Sequence, residues 1–554
     1  MSFLVLLDDP ARPGAVAVHE ITDAGDSLST LSVRQADLPD LVAAREAERP
    51  RWVWDDTARW YPPLLAAGVR VARCHDLRLC HAVLRRSARC QDSTLARAAP
   101  GPWDAPRPGE HRPLAATLFD DAPPADDDPA HDALTELRLQ LAAVNGSAEP
   151  GRLRLLLAAE STGALIAAEM RHDGMPWSTR VHDELLTRLL GERPRHGGHP
   201  PRLAALAEEV RAALDQPTLN LDSQPDLLRG LRSAGLDVAT TRTHEIRALT
   251  HPAVAPLLEY KKLARLLSAN GWAWMEAWVH DGRYRPDYVP GGVVTGRWAT
   301  SGGGALQLPA SIRAAVRADP GWRLVVADAA QLEPRVLAAM SGDRAMAAAG
   351  RQADLYQGVV DAGIVETREQ AKYAMLGAIY GATTGPSAVL MPQLTRAYPR
   401  AVGLVEAAAR DGERGAVVST WLGRSSPLPG PVWDTAVQAA VSEGADAEDV
   451  RVARRRRRDW GRFTRNFVVQ GTAAEWALCW MAALRRRLLE IEGRPHLVFF
   501  LHDEVMVHTP ADVAPQVAEA VREAATEAGR LLFGDTAVEF TLDVSVVDAY
   551  DEAD

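Results

Sequence analysis

Between Leu497 and Thr509 the chain reads LVFFLHDEVMVHT, two apolar, β-branched runs interrupted by His502, Asp503 and Glu504. The pattern predicts a hairpin of two buried strands with the acidic pair at or near its turn. Adjacent carboxylates on a rigid apolar hairpin cost desolvation energy unless a cation or a proton offsets it, so the pattern points to a metal site. A second stretch, WRLVVAD over 322–328, alternates apolar residues, ends on Asp328 and runs into the helical pattern AAQLEPRVLAAM. An Asp at the carboxyl end of a strand can reach a cleft while its backbone stays in the sheet; capping of the following helix is the structural alternative for Asp328. Together Asp328 and Asp503 could hold two divalent cations about 3.5–4 Å apart, the arrangement used for in-line phosphoryl chemistry. Hard oxygen ligands favour Mg²⁺, or Mn²⁺ in its place, over zinc.

Two helices would have to face that pair. Over 368–380, Thr367 and Gln370 form a capping-box pattern and Gly381 can close the carboxyl end. Arg368, Lys372, Leu376 and Tyr380 recur every four residues, a stripe about 18 Å long that runs from cationic to apolar to aromatic. That order suits a nucleoside triphosphate, with charge for the phosphates and a ring beside the base; a solvated helix with one buried Tyr is the plain alternative. Over 462–475, RFTRNFVVQGTAAE places Arg462, Asn466 and Gln470 on one face. Their amides can donate to minor-groove acceptors and the Arg can reach phosphate. The glycine-rich Gly291–Pro309, with Arg297 after a glycine, lacks a GxGxxG fingerprint and reads as a surface loop.

Of 62 basic residues only Lys261, Lys262 and Lys372 are lysines. A lysine kept amid that arginine bias can present a compact charge or shift its pKa where arginine cannot. The net charge of −11 does not advertise a polyanion partner, yet residues 451–465 carry eight arginines against Asp459 alone. Asp120, Asp121, Asp126, Asp127 and Asp128 read as an acidic linker. Length predicts three or four domain-sized units. No 18-residue apolar run stands out, so no membrane span or membrane partner is expected. The amino-terminal apolar run is too short for a signal peptide. Four cysteines without a CxxC pair suit a reducing cytoplasm better than a disulfide framework or a zinc site. Helices are predicted over 131–144, across 153–190 with a turn at HDGMPW and a start at Ser178, and over 253–280.

Six stretches in fixed order resemble the family A DNA polymerases, the DNA polymerase I type. VTGRWAT…LQLP is similar to TGRLSS…LQNIP, DAAQLEPR to DYSQIELR, and RxxxKxxxLxxxYG to the fingers-helix motif. VVSTWLGRSSPLP, NFVVQGTAAE and LHDEV resemble three more, and the tail VVDAYDEAD resembles a terminal NWDEAH. The resemblance covers about 153–554. It implies an α+β right-hand fold with a thumb at about 151–285, a palm at about 286–340 and 415–554, and fingers at about 341–414. It implies that Asp328 and Asp503, with Glu504, serve template-directed addition of dNTPs to a primer 3′-hydroxyl, using two Mg²⁺. Arg368, Lys372, Leu376, Tyr380, Glu333 and Gln331 would contact the dNTP, Lys372 as general acid and Glu333 as the gate against a 2′-hydroxyl. Arg297, Gln307, Arg462, Asn466, Gln470 and His502 would contact primer–template DNA. Leu376 stands where the family has an aromatic residue, Asp354-Leu355-Tyr356 where it has DIH, and Pro334 beside the gate where it has an aliphatic residue. The partners implied are DNA and dNTPs, the compartment the cytoplasm with its nucleoid, and the role replication or repair.

Residues 1–150 faintly resemble a 3′–5′ exonuclease domain, which implies an RNase H-like fold. Its acidic ligands are missing: FLVLLDDP has no Asp-x-Glu, Trp60 falls where a second Asp belongs, and only Asp132 fits the third motif, with Asp128 in the tyrosine's place. Proofreading is therefore expected to be absent. A catalytically silent DNA-binding relative, a single-subunit RNA polymerase and a proofreading bifunctional enzyme remain alternatives.

Overall fold

The structure is a computed structural model that describes residues 2–23, 25–105, 132–195, 197–351, 354–381 and 386–553. The acidic stretch at 120–128 and His131 lie outside them. Two compact units account for the chain, where length alone predicts three or four. One comprises Met1–Asp173, Asp287–Gly302 and Val325–Val546, the other Gly174–Pro286, Gly303–Leu324 and Val547–Asp554.

The larger unit begins with five strands, β1 (Ser2–Asp8), β2 (Ala15–Thr22), β3 (Ser27–Arg34), β4 (Arg51–Trp54) and β5 (Cys74–Asp76). They lie in the order β3-β2-β1-β4-β5. The first three form an antiparallel meander, and β4 and β5 add in parallel. Trp52, Val53 and Trp54 of β4 are all fully buried, as expected of a short central strand covered on both faces. Helices α1 (Thr57–Ala66), α2 (Leu77–Arg86), α3 (Ala133–Asn145) and α4 (Pro150–Asp173) follow. The Asp56 and Asp76 side chains cap α1 and α2, each satisfying an otherwise orphaned N–H group.

A second sheet holds β6 (Trp322–Ala329), β7 (His496–Leu501), β8 (Glu504–Pro510) and β9 (Leu542–Val547) in the order β7-β8-β6-β9. Helices α5 (Leu332–Ser341), α6 (Leu355–Asp361), α7 (Arg368–Tyr380), α8 (Pro399–Glu413), α9 (Ala447–Leu488) and α10 (Ala514–Phe533) belong to the same unit, with α8 and α10 packed against α9. The expected caps of α7 are present: Thr367 and Gln370 close a capping box, and Gly381 ends the helix at φ 67°. One 18-residue window of the 42-residue α9 is apolar enough to cross a membrane, contrary to the sequence reading, but 89% of it is buried against protein. It is a core helix.

Two further expectations change. Within 291–309, Ala299–Gly302 pairs antiparallel with Asp287–Val289, so the glycine-rich stretch builds a short ribbon and not only a loop. In the smaller unit the helix predicted over 253–280 is two, Val254–Asn270 and Trp272–Trp278. Gly271 between them is extended, and a Cβ there would stand 2.2 Å from the Leu267 carbonyl oxygen. That unit also contains Thr179–Leu190, capped by Ser178 as expected, and a three-stranded sheet where the rings of Trp177, His182, Trp274 and Tyr284 meet edge to face or, for Trp274 with Tyr284, tilted.

Candidate active site

The acidic hairpin forms as the two apolar runs predict. Leu501 pairs with Glu504, which leaves His502 and Asp503 as a two-residue turn and opens β8 on Glu504. His502 takes φ 58°, a left-handed conformation costing a non-glycine residue about 1–2 kcal/mol. β7 is an edge strand, and the Tyr288 hydroxyl meets its backbone there, accepting from Phe500 N–H at 3.1 Å and donating to Phe500 C=O at 2.9 Å. The Ala329 N–H donates to the Asp503 carbonyl at 2.8 Å. That bond fixes the turn to the end of β6, one residue from Asp328.

Burial first and the Asp328 carboxylate second push the Asp503 carboxyl up to about 7. Asp328, at the exposed strand end, is raised as well, by desolvation first and then by Asp543. Two carboxyls whose ionisation is disfavoured, one of them by the other's charge, are a donor set that fits divalent cations. Among the described residues no group of three or more His, Cys, Asp or Glu side chains forms a metal cluster. A hard cation on two carboxylates alone keeps waters or phosphate oxygens as its other ligands, as Mg²⁺ commonly does.

A test follows from the sign of the Asp503 shift. A carboxyl whose folded pKa is raised binds its proton more tightly when folded, so the cation-free protein loses stability as pH rises from the ordinary carboxylate range through about 7. A cation must displace that proton. Mn²⁺ affinity, read by electron paramagnetic resonance, should therefore climb up to about tenfold per pH unit below 7 and level off above it. Affinity independent of pH between 5.5 and 8 would contradict the arrangement.

Beside the turn lies a cavity of about 200 Å³ lined by Arg297, Gln331, Glu333, Leu376, Tyr380, His502 and Asp503, among others. Its volume falls below the roughly 300–1,000 Å³ of sites that enclose a whole small ligand. Glu333 accepts from Arg297 on one carboxylate oxygen and from the Tyr380 hydroxyl, at 2.6 Å, on the other. Burial and that carboxylate push Tyr380 up to about 12, with Gln470 beside the hydroxyl opposing them. Gln331 adopts φ 50° ahead of α5, and its amide oxygen accepts from Leu355 N–H at 3.1 Å, tying α6 to the end of β6.

The cationic end of the α7 stripe is not in the cavity wall. Lys372 is exposed on its first turns. Arg368 donates to Asp354 at 2.5 Å and lies 5.7 Å over the Tyr356 ring. Arg462 is exposed and paired with Asp459 at 2.5 Å, and the Asn466 Oδ1 is buried with no partner among the described residues. Gln307 ends a short 3₁₀ turn in the smaller unit, and its side chain lies outside the described residues. Two residues to which the sequence reading gave no role support the site. Asp354 caps α6 while holding Arg368. Arg335, 1% exposed, donates to the carbonyls of Ala330, Gly350 and Glu539. Both sit inside quoted motifs; an Asp directly before a helical run was the available signal for the first.

Against known proteins, residues 201–552 match the sequence family described as DNA polymerase family A. DNA polymerase I of Chloroflexus aurantiacus is 27% identical over 60% of this chain and 36% of its own length. The thermostable DNA polymerase I of Thermus thermophilus is 28% identical over 57% of this chain and 40% of its own. The chain thus spans well under half the length of these curated relatives. Among solved structures, the POL domain of Pol1 from M. smegmatis, in complex with DNA primer–template and dNTP, superposes with a TM-score of 0.69 at 18% identity, covering 97% of this chain and 93% of that one. The likeness shows a shared fold, and the family match spans more than half of the 554 residues; the chain belongs to the family A DNA polymerases.

Proposed function

We propose that the protein is a template-directed DNA polymerase that adds dNTPs to a primer 3′-hydroxyl in the cytoplasm, at the nucleoid, in replication or repair. The observation that carries this reading is the backbone bond that brings Asp503 to the strand end of Asp328, at a cavity closed by Glu333. Family A polymerases depend on divalent metal ions; here Asp328 and Asp503 would hold Mg²⁺, two ions in the proposed reaction. When bound, the ions stabilise charge on the reacting phosphate. Lys372 Nζ donates a proton to the pyrophosphate leaving group, and Arg368, released from Asp354, contacts the triphosphate. His502, Arg297, Asn466 and Gln470 face the minor groove, whose acceptors are shared by all correct pairs. The exposed arginines at 454–458 offer phosphate contacts. In this reading 151–285 is the thumb, 341–414 the fingers, and 286–340 with 415–554 the palm. Extension of a labelled primer on a template with Mg²⁺ tests it; a silent DNA-binding relative would bind the primer–template and leave it unextended.

Glu333 serves as the sugar gate in this reading, held on both oxygens between Arg297 and Tyr380. Glu333→Ala should raise ribonucleotide incorporation relative to deoxynucleotides by at least about tenfold, the effect of ~1.4 kcal/mol of lost discrimination. An unchanged ratio in single-nucleotide extension assigns the gate elsewhere.

The amino-terminal sheet we read as an RNase H-like exonuclease domain without proofreading. Arg59 donates to both Asp8, at the end of β1, and Asp55, just past β4. A guanidinium thus sits between carboxylates where a cation would be needed. Asp132 accepts from Leu134 and Thr135 N–H groups as the cap of α3. A 3′-mismatched primer incubated with Mg²⁺ or Mn²⁺ and no dNTPs should keep its length. Shortening that persists in Asp503→Ala would demonstrate a working exonuclease.

A further inference from the structure

We propose that the amino-terminal domain carries a second site, at the end of its sheet remote from Asp8 and Asp55, that binds a nucleoside monophosphate. A cavity of about 300 Å³ opens there against α3 and α4. Its floor is set by register: β1 and β4 run parallel with Phe3 opposite Arg51, so both residues stand at the amino ends of their strands. Asp8 lies five residues further along β1, roughly 17 Å away at ~3.3 Å per residue. The cavity is therefore separate from the place where exonuclease chemistry would occur.

Arg51 is the reason to expect an anion. Its Nη1 donates to the Cys74 carbonyl at 3.2 Å, and no carboxylate among the described residues forms an ion pair with it. Burial first and the neighbouring Arg73 second hold its pKa below the ordinary value, and the weaker attraction of Asp23 on the same wall does not restore it, so the half-buried guanidinium is left short of counter-charge. Arg154, exposed on the rim, donates to Asn145 Oδ1 at 2.6 Å and keeps further N–H groups for a ligand. Two guanidiniums on one cavity suit a phosphate monoester, which arginine grips bidentately.

The remainder of the wall says what the phosphate is attached to. Phe3 and Leu157 give apolar surface that a bare phosphate would leave uncovered. The volume sits at the lower limit of sites that enclose a small organic ligand. Fully buried Gln140 donates to the Leu77 carbonyl and to Glu136, and its oxygen faces His75 Nε2 at 2.8 Å. His75, held down to about 4 chiefly by burial, stays neutral. These two are fixed by each other and shape the floor without adding charge. Asp23, also on the wall, repels a phosphate and so orients it toward Arg51 and Arg154, leaving sugar and base against the apolar side.

Calorimetric titration of the whole chain in EDTA tests the site with three probes: deoxyadenosine monophosphate, deoxyadenosine and inorganic phosphate. The monophosphate should bind at least about tenfold more tightly than either part. Arg154→Ala should weaken it about tenfold, and Arg51→Met should abolish detectable binding, while primer extension by Arg154→Ala stays unchanged. If Arg51→Met does not fold, Arg154→Ala and Arg154→Glu at the exposed rim carry the test. Absence of binding at millimolar monophosphate, or binding indifferent to Arg154, overturns the proposal. Equal affinity for inorganic phosphate overturns the nucleoside assignment.

Discussion

Asp328→Ala and Asp503→Ala are each expected to slow nucleotide addition by at least about 10³-fold, equivalent to ~4 kcal/mol of transition-state stabilisation, while primer–template affinity changes little. Each substitution removes one of the two oxygen donors that fit a divalent cation, and metal clamps of this kind contribute several kcal/mol to phosphoryl chemistry. The local structure should survive both changes. The bond that joins the turn to β6 is made by backbone, Ala329 N–H to Asp503 C=O, and neither side chain is part of it. The raised pKa values of both carboxyls mean that, without cations, their charges oppose folding. Either alanine variant should therefore unfold at the same temperature as the parent or slightly above it in EDTA. Loss of extension with an undiminished melting temperature separates a chemical role from a structural one. Near-normal extension by either variant sinks the assignment of the pair.

The hairpin and α7 were legible because their signals are local. Two apolar runs with a polar break need only their own strands, and the α7 capping box and carboxyl-terminal glycine need only their own backbone. What could not be read was which partner each side chain takes. Glu333 is clasped by Arg297 from 36 residues earlier and Tyr380 from 47 residues later. Arg368 is turned to Asp354 although its helical spacing was read correctly. Charge pairing across distant segments leaves no periodic trace. The window in α9 that passes for a membrane span has the same origin: hydropathy reports that a segment avoids water and is silent on whether lipid or protein covers it. Gly271 failed in the opposite sense. Its flanks are both good helix, and only the close approach of the Leu267 carbonyl shows why the chain breaks there.

That dependence on distant partners makes Arg485 the residue whose loss should destabilise the larger unit most. It lies in α9, 5% exposed. Its Nε and Nη2 donate to the two oxygens of Glu169 in α4, at 2.8 and 2.7 Å. The same guanidinium reaches the carbonyls of Val71, at 2.6 Å, and Ala72, at 3.0 Å, just before β5. The buried Tyr61 hydroxyl of α1 donates to Glu169 at 2.5 Å. One side chain thus joins α9 to two parts of the unit that lie more than 300 residues earlier in the sequence. Burial opposes the charge on both partners, but each more than restores the other: Glu169 is held below its ordinary value and Arg485 well above. Removing Arg485 leaves buried Glu169 with only the Arg70 guanidinium at 3.7 Å and the Tyr61 hydroxyl, and takes a donor from each of two carbonyls, a loss of about 3 kcal/mol or more. Arg485→Met, close in volume, should lower the urea midpoint of the full chain accordingly. The sign of the Glu169 shift gives a second check. A carboxylate with a depressed folded pKa stabilises above its unfolded value of about 4.5 and loses that contribution as pH falls through the folded value, so the gap between parent and variant should narrow in acid. Adding Glu169→Leu to Arg485→Met should recover part of the loss by removing the stranded charge, though not the part owed to Val71 and Ala72. A variant within about 1 kcal/mol of the parent at pH 7 would mean that packing alone holds the amino-terminal sheet to α9.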